Sequence, residues 1–411
     1  MQARGVGLAH VGRRRENNED CWLADDQLGL YAVADGMGGY RGGEVAANAA
    51  LVAAAKTIRG QRDLLDRVRD GTARSKELEG LVRQAITDAN AAVLALSGSR
   101  PEADRMGCTL TLLLVAGARG VMGHVGDSRL YLCREGKLHQ LSRDHTLAAE
   151  LAREGVIEPH EVKGHPYGHA LTQAVGRQRL KPDVLRFELC PRDRALLCSD
   201  GLTAYAKDPE WLGARLAEDD LDGIPRELVG FANAAGGGDN ITALVVGVDP
   251  EPSEERQQAA EELRARLSAV EEFFLCAGLS FARQALVISH CELRTHEADE
   301  LVVVEGGPLE GCTLLAEGSL EVRRGERSVG RLRPGQACGA RGLLGARVAR
   351  AEVVARERSR TLTLTAEGMR ALARARPGLG VLLLRRLAAH LCQALDPRLE
   401  ADPSAPATLI P

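Results

Sequence analysis

Among the places before residue 241 of this chain where an aspartate stands directly beside a glycine are Asp35-Gly36, Gly126-Asp127, Asp200-Gly201 and Gly238-Asp239. One such pair taken singly marks a turn, because both residues tolerate turn geometry. Two of these pairs stand elsewhere. Asp35 ends the apolar run Leu30–Ala34, and Asp200 follows Leu196-Leu197-Cys198-Ser199, where a buried strand emerges rather than where a hairpin bends. A strand end holds a carboxylate rigidly, and a neighbouring glycine lets a carbonyl or a ligand come close. Several such ends brought together form an all-oxygen site, which suits Mg2+ or Mn2+; zinc would be expected to recruit His or Cys, which these motifs do not offer.

The surrounding pattern predicts an α+β fold in layers. The runs Leu28–Ala34, Thr109–Val115, Gly120–Val125, Arg129–Cys133, Arg194–Ser199 and Ile241–Val248 read as strands, whereas Gly43–Ile58 and Leu78–Leu96 carry apolar residues at helical spacing. Strands bunched before and after a helical pair fit sheets sandwiched by helices. Pro250 and Pro252 then break any regular element, which sets the end of a first domain, 1–250. Glu254 to Val270 is rich in helix formers and is expected to be a connecting helix within a linker, 251–270. Short apolar runs separated by glycine, Leu301–Glu305, Thr313–Leu315, Leu320–Val322 and Val353–Val354, indicate a compact β domain over 271–396, closed by a helix over Leu379–Leu395. The remaining residues, 397–411, read as a loose tail with three prolines in its last ten positions.

Composition removes several function classes. Lys and Arg number 53 against 57 Asp and Glu, so no excess of positive charge recruits nucleic acid or an anionic membrane. No apolar run approaches the ~18 residues of a membrane span, and the first ten residues lack a secretory core, so the expected location is the cytoplasm. The ten cysteines include no C-x-x-C pair and are expected to be reduced and mostly buried.

The motifs taken in order resemble a known series. Asn18-Glu19-Asp20, Ala34-Asp35-Gly36-Met37-Gly38-Gly39, Gly126-Asp127-Ser128-Arg129, Cys198-Ser199-Asp200-Gly201-Leu202 and Gly238-Asp239-Asn240-Ile241-Thr242 are similar to the motifs of bacterial PP2C (PPM) metal-dependent serine/threonine phosphatases. Gly107-Cys108-Thr109-Leu110, Leu141-Ser142-Arg143-Asp144-His145-Thr146 and Leu171-Thr172-Gln173-Ala174-Val175-Gly176 extend the likeness over about residues 5–249. The resemblance implies an αββα sandwich with a metal centre in a cleft at one end. By position, Asp35, Asp200 and Asp239 hold two Mn2+ or Mg2+ ions with the carbonyl of Gly36, Asp20 acts through bound water, and Glu19 supports the second ion. Asp127 matches the aspartate of a third, weaker ion, the alternative being a structural turn. Arg15 stands at the spacing of the arginine that grips substrate phosphate with its planar fork, with Arg13 and Arg14 beside it as rivals.

The same resemblance implies hydrolysis without a phosphoenzyme, by a water activated between two metals. Arg15, Asp35 and Asp239 are thereby the catalytic candidates, and Met37 occupies a position where some relatives carry a histidine acid, leaving water to protonate the leaving group. Phosphorylated proteins are the implied substrates, with Hanks-type kinases and their targets as implied partners. His145, His160, His165 and His169 are read as structural, the stretch 147–178 being a polar rim of the cleft. A catalytically silent adaptor is the competing reading; it would call for lost ligands, and the main ones are present.

Residues from about 270 to 395 resemble, more weakly, a cyclic-nucleotide-binding fold, a β-rich jelly-roll barrel with flanking helices. The likeness rests on Leu301-Val302-Val303-Val304-Glu305-Gly306, Glu317-Gly318-Ser319-Leu320-Glu321-Val322, Leu332-Arg333-Pro334-Gly335, Gly339 and Arg350-Ala351. It implies Gly339 and Arg350 as ligand residues, Arg350 for a phosphate. Ala340 stands where binding members carry a ribose-contacting glutamate, and Glu352 adds negative charge nearby. A degenerate sensor or interaction module, taking a nucleotide or a protein partner and acting on the cleft, is the expectation.

Overall fold

The computed structural model describes residues 2–37, 42–98, 106–162, 164–249, 254–346 and 348–393. The proline break at 250–253 and the tail at 397–411 fall outside them. The chain divides into two compact units, Met1–Pro252 and Ser253–Pro411.

In the first unit the strands are β1 (Gln2–His10), β2 (Asp20–Asp25), β3 (Leu30–Met37), β4 (Gly107–Cys108), β5 (Leu110–Ala116), β6 (Arg119–Val125), β7 (Arg129–Arg134), β8 (Lys137–Gln140), β9 (Asp183–Glu188), β10 (Arg194–Cys198) and β11 (Ile241–Asp249). The helices are α1 (Gly42–Arg59), α2 (Arg62–Arg69), α3 (Glu77–Ser97), α4 (Leu147–Arg153), α5 (Asp200–Thr203), α6 (Pro209–Leu216) and α7 (Ile224–Ala234). A five-stranded sheet runs β1-β11-β10-β7-β8 and a six-stranded sheet β2-β3-β5-β6-β9, with β4 attached to β3.

Alternation along the strands explains the layers. Leu30, Ala32 and Ala34 of β3 pack with Ala46, Ala50 and Ile58 of α1 and with Leu78, Val82 and Ile86 of α3. The intervening Tyr31 and Val33 are also fully buried, on the other face of the same sheet. Leu196 and Cys198 of β10 and Ala243 and Val245 of β11 likewise pack on Leu212, Leu228 and Val229 of α6 and α7. Strands that are buried on both faces have no polar side to expose, so the two sheets lie face to face with helices outside each. The expected αββα architecture is present, and both long helices fall within two residues of their expected bounds.

The second unit holds α8 (Glu254–Glu272), α9 (Phe281–Ser289), β12 (Cys291–His296), β13 (Leu301–Val303), β14 (Gly311–Glu317), β15 (Leu320–Arg324), β16 (Arg327–Leu332), β17 (Ala337–Cys338), β18 (Glu352–Ala355), β19 (Ser359–Thr365), α10 (Ala366–Ala375) and α11 (Pro377–Gln393). Eight strands form two four-stranded antiparallel sheets, β12-β19-β14-β17 and β13-β18-β15-β16. Leu315 and Cys338 of the first share a core with Leu320, Val322 and Val353 of the second. The opposite face of β14 and β19 is covered by the helices, through Val270, Phe273, Val287, Leu372 and Leu383. The helix expected as a connector is thus anchored in this unit: Val270 is buried there, and Glu262 forms an ion pair with Arg360 at 2.9 Å.

Candidate metal centre

The carboxylates flagged in the sequence come from separate segments and meet at one end of the first unit. Asp20 opens β2 directly opposite Asp35 near the end of β3. Asp200 is the first residue of α5, immediately after β10, and Asp239 lies just before β11. Asp127 sits in the turn joining β6 to β7. The Asp35 carboxyl feels the charges of all four others.

Burial and crowding act on these groups in the same direction. Burial first, then Asp20, Asp200, Asp127 and Asp239, push Asp35 well above the usual carboxylate range. Burial pushes Asp20 up to about 7 although two hydroxyls hydrogen-bond it, and burial with Asp200 pushes Asp127 to about 7. Asp200 is raised by burial and Asp239, with His169 and Arg15 pulling it back. Such a cluster holds more negative charge than its surroundings neutralise, and divalent cations among oxygen donors relieve that excess. Asp20 carries a further mark: Oδ2 accepts from Ser199 Oγ at 2.7 Å and Thr242 Oγ1 at 2.8 Å, while Oδ1 is buried with no hydrogen-bond partner among the described residues. The donor set and this unmet oxygen fit Mg2+ or Mn2+.

Several residues hold the carboxylates in place. Asn240, buried, accepts from the Glu19 amide at 2.8 Å and donates to the carbonyls of Val11 at 3.0 Å and Asn17 at 2.9 Å. It thereby ties the loop carrying Arg15 and Glu19 to the Asp239 loop. Thr109 Oγ1 receives the Asp35 amide at 2.9 Å and bonds Ser128 Oγ at 2.7 Å. Gly36 is required by close approach, since a Cβ there would overlap the Gly43 carbonyl of α1, and one on Gly201 would overlap the Asn240 carbonyl. Glu19 lies beside this contact, its carboxyl raised by burial against the opposing pull of Arg15. Gly38 and Gly39 lie outside the described residues.

Arg15, half exposed, donates to Asp239 Oδ2 at 2.8 Å. It stands at the cluster, held by one of the proposed ligands. The histidines divide. His145 and His124 are buried with ring centroids 4.8 Å apart; burial and His145 lower His124 to about 4, and His145 Nδ1 accepts from the Gly126 amide at 3.2 Å. His169, by contrast, places Nδ1 3.8 Å from Asp200 Oδ2, and ligand atoms of Asp127, His169 and Asp200 all lie within 4.8 Å of one another. His169 lies 31 residues before Asp200 in a segment without regular periodicity, so only its being a histidine in the rim hinted at the cluster. Ser199, Thr242 and Asn240 were visible as motif members, but nothing in their spacing announced their bonds.

In the second unit Gly339 and Arg350 line one cavity, partly open to solvent, with Val303, Leu309, Cys338, Ala340, Arg341 and His390 among its walls. Arg350 is exposed and forms no ion pair among the described residues, and no carboxylate lines the cavity. His390 stacks on Phe274 with centroids 3.8 Å apart.

Known proteins resemble both units. The sequence profile of the family described as Protein phosphatase 2C matches residues 6–223, and that of the Cyclic nucleotide-binding domain matches residues 293–376. The serine/threonine protein phosphatase PstP of Mycobacterium tuberculosis is 36% identical over 237 residues, covering 58% of this chain and 43% of the relative. The chain thus spans less than half the length of that relative. Protein phosphatase PhpP of Streptococcus pneumoniae is 34% identical over 253 residues, covering 60% of this chain and 98% of the relative. Among solved structures, Mycobacterium tuberculosis PstP/Ppp superposes with a TM-score of 0.54 at 33% identity, covering 61% of this chain and 100% of that one. The PstP catalytic domain in complex with two manganese ions gives 0.51 at 33% identity, covering 60% and 99%.

Proposed function

Because this chain belongs to the protein phosphatase 2C family, we propose that its first unit hydrolyses phosphoserine and phosphothreonine in proteins at a centre of two Mn2+ or Mg2+ ions. The observation that carries the proposal is the meeting of Asp20, Asp35, Asp200 and Asp239 from four segments, where burial and crowding raise Asp20, Asp35 and Asp200 above the usual carboxylate range. Asp35, Asp200 and Asp239, with the Gly36 carbonyl, would hold the pair; Asp20 would hold its water, and Asp127 would serve a third ion. Bound there, the ions supply an acidified water and neutralise charge on phosphoryl oxygens.

The protein's own groups do the rest. Arg15 turns its fork from Asp239 toward the phosphate once that carboxylate is engaged. Asn240 keeps the Arg15 loop at a fixed distance from Asp239, so phosphate and water are held in one geometry. Met37 offers no proton, so solvent protonates the departing hydroxyl. Substrates phosphorylated by Hanks-type kinases in the cytoplasm suit this activity, and no described helix is long and apolar enough to cross a membrane. Phosphothreonine peptide and p-nitrophenyl phosphate with Mn2+ test the proposal: Asp35→Asn and Asp239→Asn are expected to abolish turnover, and undiminished turnover in either would sink it.

For the second unit we read a sensor or interaction module, with residues 1–250, 251–270, 271–396 and 397–411 as phosphatase, linker, module and tail. Its cavity favours an anion, through Arg341 and Arg350, over a cyclic nucleotide, whose ribose hydroxyl finds no carboxylate there; a buried hydroxyl left unmatched costs about 1–3 kcal/mol. Calorimetry with cAMP and cGMP tests this, tight binding of either being the contrary result. Unchanged kinetics on deleting residues beyond 250 would remove regulation of the cleft by this unit.

A further inference from the structure

The rim segment delivers His169 to the carboxylates, and its backbone shows how. The Leu147 amide donates to the Ala170 carbonyl at 2.9 Å, and the Thr172 amide to the His145 carbonyl at 2.8 Å. Thr146 and Leu171 form an isolated antiparallel bridge. His145 in turn exchanges hydrogen bonds with Gly126, its amide donating to the Gly126 carbonyl at 2.8 Å and its Nδ1 accepting from the Gly126 amide at 3.2 Å. Residues on the C-terminal side of His169 are therefore pinned to the turn that carries Asp127. The imidazole itself is 88% exposed, and among the described residues no hydrogen bond holds it. Asp200 and Asp127 are what it faces, with ligand atoms no more than 4.8 Å apart.

This spacing has a chemical meaning. Around an octahedral ion with bonds of about 2.1 Å, ligand atoms lie roughly 3 to 4 Å apart, so small rotations of three side chains, one of them free in solvent, would close the set. Nitrogen also changes the preference of the site. Imidazole suits transition metals, whereas Mg2+ keeps to oxygen and gives up its water reluctantly.

We propose that His169 is a ligand to an ion held with Asp127 and Asp200, so that this ion fastens the rim to the carboxylate cluster and is Mn2+ rather than Mg2+. The proposal rests on the reading of a two-ion centre in the same cleft, which shares Asp200 with it. It also gives the rim a reason to close. A segment held by backbone bonds from Tyr167, Ala170 and Thr172 to residues 145–148 gains a side-chain anchor on the cluster only when the ion is present, so metal occupancy and fastening of the rim become one event.

The test is metal titration of the metal-depleted full chain, followed by calorimetry and by pulsed electron paramagnetic resonance of bound Mn2+. The wild type is expected to show a weak Mn2+ site beyond two tighter ones, with a 14N coupling from a directly bound imidazole that appears only as the weak site fills. His169→Ala is expected to lose that coupling and weaken the site by at least about 10-fold, the lower end of what a metal site loses with a supporting partner, while the tighter sites stay. Excess Mg2+ is expected to leave the weak site open to Mn2+. A weak site of unaltered affinity in His169→Ala, a weak site without nitrogen coupling, or only two sites in the wild type would overturn the proposal and leave the two-ion reading standing. Absence of any Mn2+ binding in the wild type would overturn both.

Discussion

Asn240 offers the sharpest handle on how the centre is built. Its side chain makes three hydrogen bonds, to the Glu19 amide and to the carbonyls of Val11 and Asn17. Each such bond contributes about 1 kcal/mol net, and its partners are only partly buried, so Asn240→Ala is expected to destabilise the first unit by about 2–3 kcal/mol. Asn240→Asp keeps the acceptor for Glu19 but turns oxygen, not nitrogen, toward two carbonyls and adds charge beside Asp239; it is expected to destabilise at least as much despite its near-identical shape. Both tryptophans, Trp22 and Trp211, lie in the first unit, so their fluorescence follows its unfolding in urea without a signal from the second. With a slope of about 2–3 kcal/mol/M for a unit of this size, the midpoint should fall by roughly 1 M. The same variants should lose activity toward phosphothreonine peptide more steeply than stability at working temperature, because Arg15 and Glu19 ride on the released loop. An Asn240→Asp protein with the midpoint and turnover of wild type would refute the argument.

Three further outcomes follow from the geometry. Asp20 and Asp127, both near 7 in the folded metal-free protein against 3.8 for an ordinary aspartate, hold their protons to higher pH than in the unfolded chain; the stability this gives is full below about 4 and is lost as pH rises to 7. Urea unfolding in EDTA should therefore show wild type losing ground to Asp20→Asn between pH 4 and 7, with Mn2+ reversing the trend, and an EDTA difference that is flat with pH would contradict it. Arg15→Ala removes a charge-assisted partner worth about 1.5–3 kcal/mol and should lower kcat/KM roughly 10- to 100-fold, with Arg15→Lys recovering little because an ammonium has no fork; full recovery by lysine would count against phosphate gripping. Gly201→Ala puts a methyl group into the Asn240 carbonyl and should shift Asp200 and weaken Mn2+ binding in calorimetry, whereas unaltered affinity would show the contact to be yielding.

Much of the centre was legible because its carboxylates mark strand ends. Asp35 and Asp200 follow unbroken apolar runs, and burial of both faces of a strand forces such runs into sequence. The helices Gly42–Arg59 and Glu77–Ser97 were legible for a related reason, each carrying a long buried stripe. The short helices α2, α5, α6 and α7 were not expected, since eight to eleven residues, or four in α5, carry too few turns for periodicity to stand out. His169 was read as structural, and its neighbours say why: Pro166, Tyr167 and Gly168 follow no period, and only backbone bonds to residues 145–147 bring it to Asp200. In the second unit the runs around Leu314, Val322 and Val353 revealed strands, yet the two-sheet division depends on pairing partners that lie up to 73 residues apart, as Cys291 and Leu364 do, a distance over which local pattern is silent.

The pairing of β1 with β11 joins Gln2 to Asp249 and His10 to Ile241 in one unbroken register. During synthesis, the first strand of this unit therefore waits without its β11 partner until nearly the whole unit has followed it. Asp239 arrives in that same final stretch, so the last carboxylate of the cluster and the closing strand are delivered together. A nascent chain stalled before this point holds an incomplete set of acids on an open sheet, and the cluster is complete only when the unit has been finished.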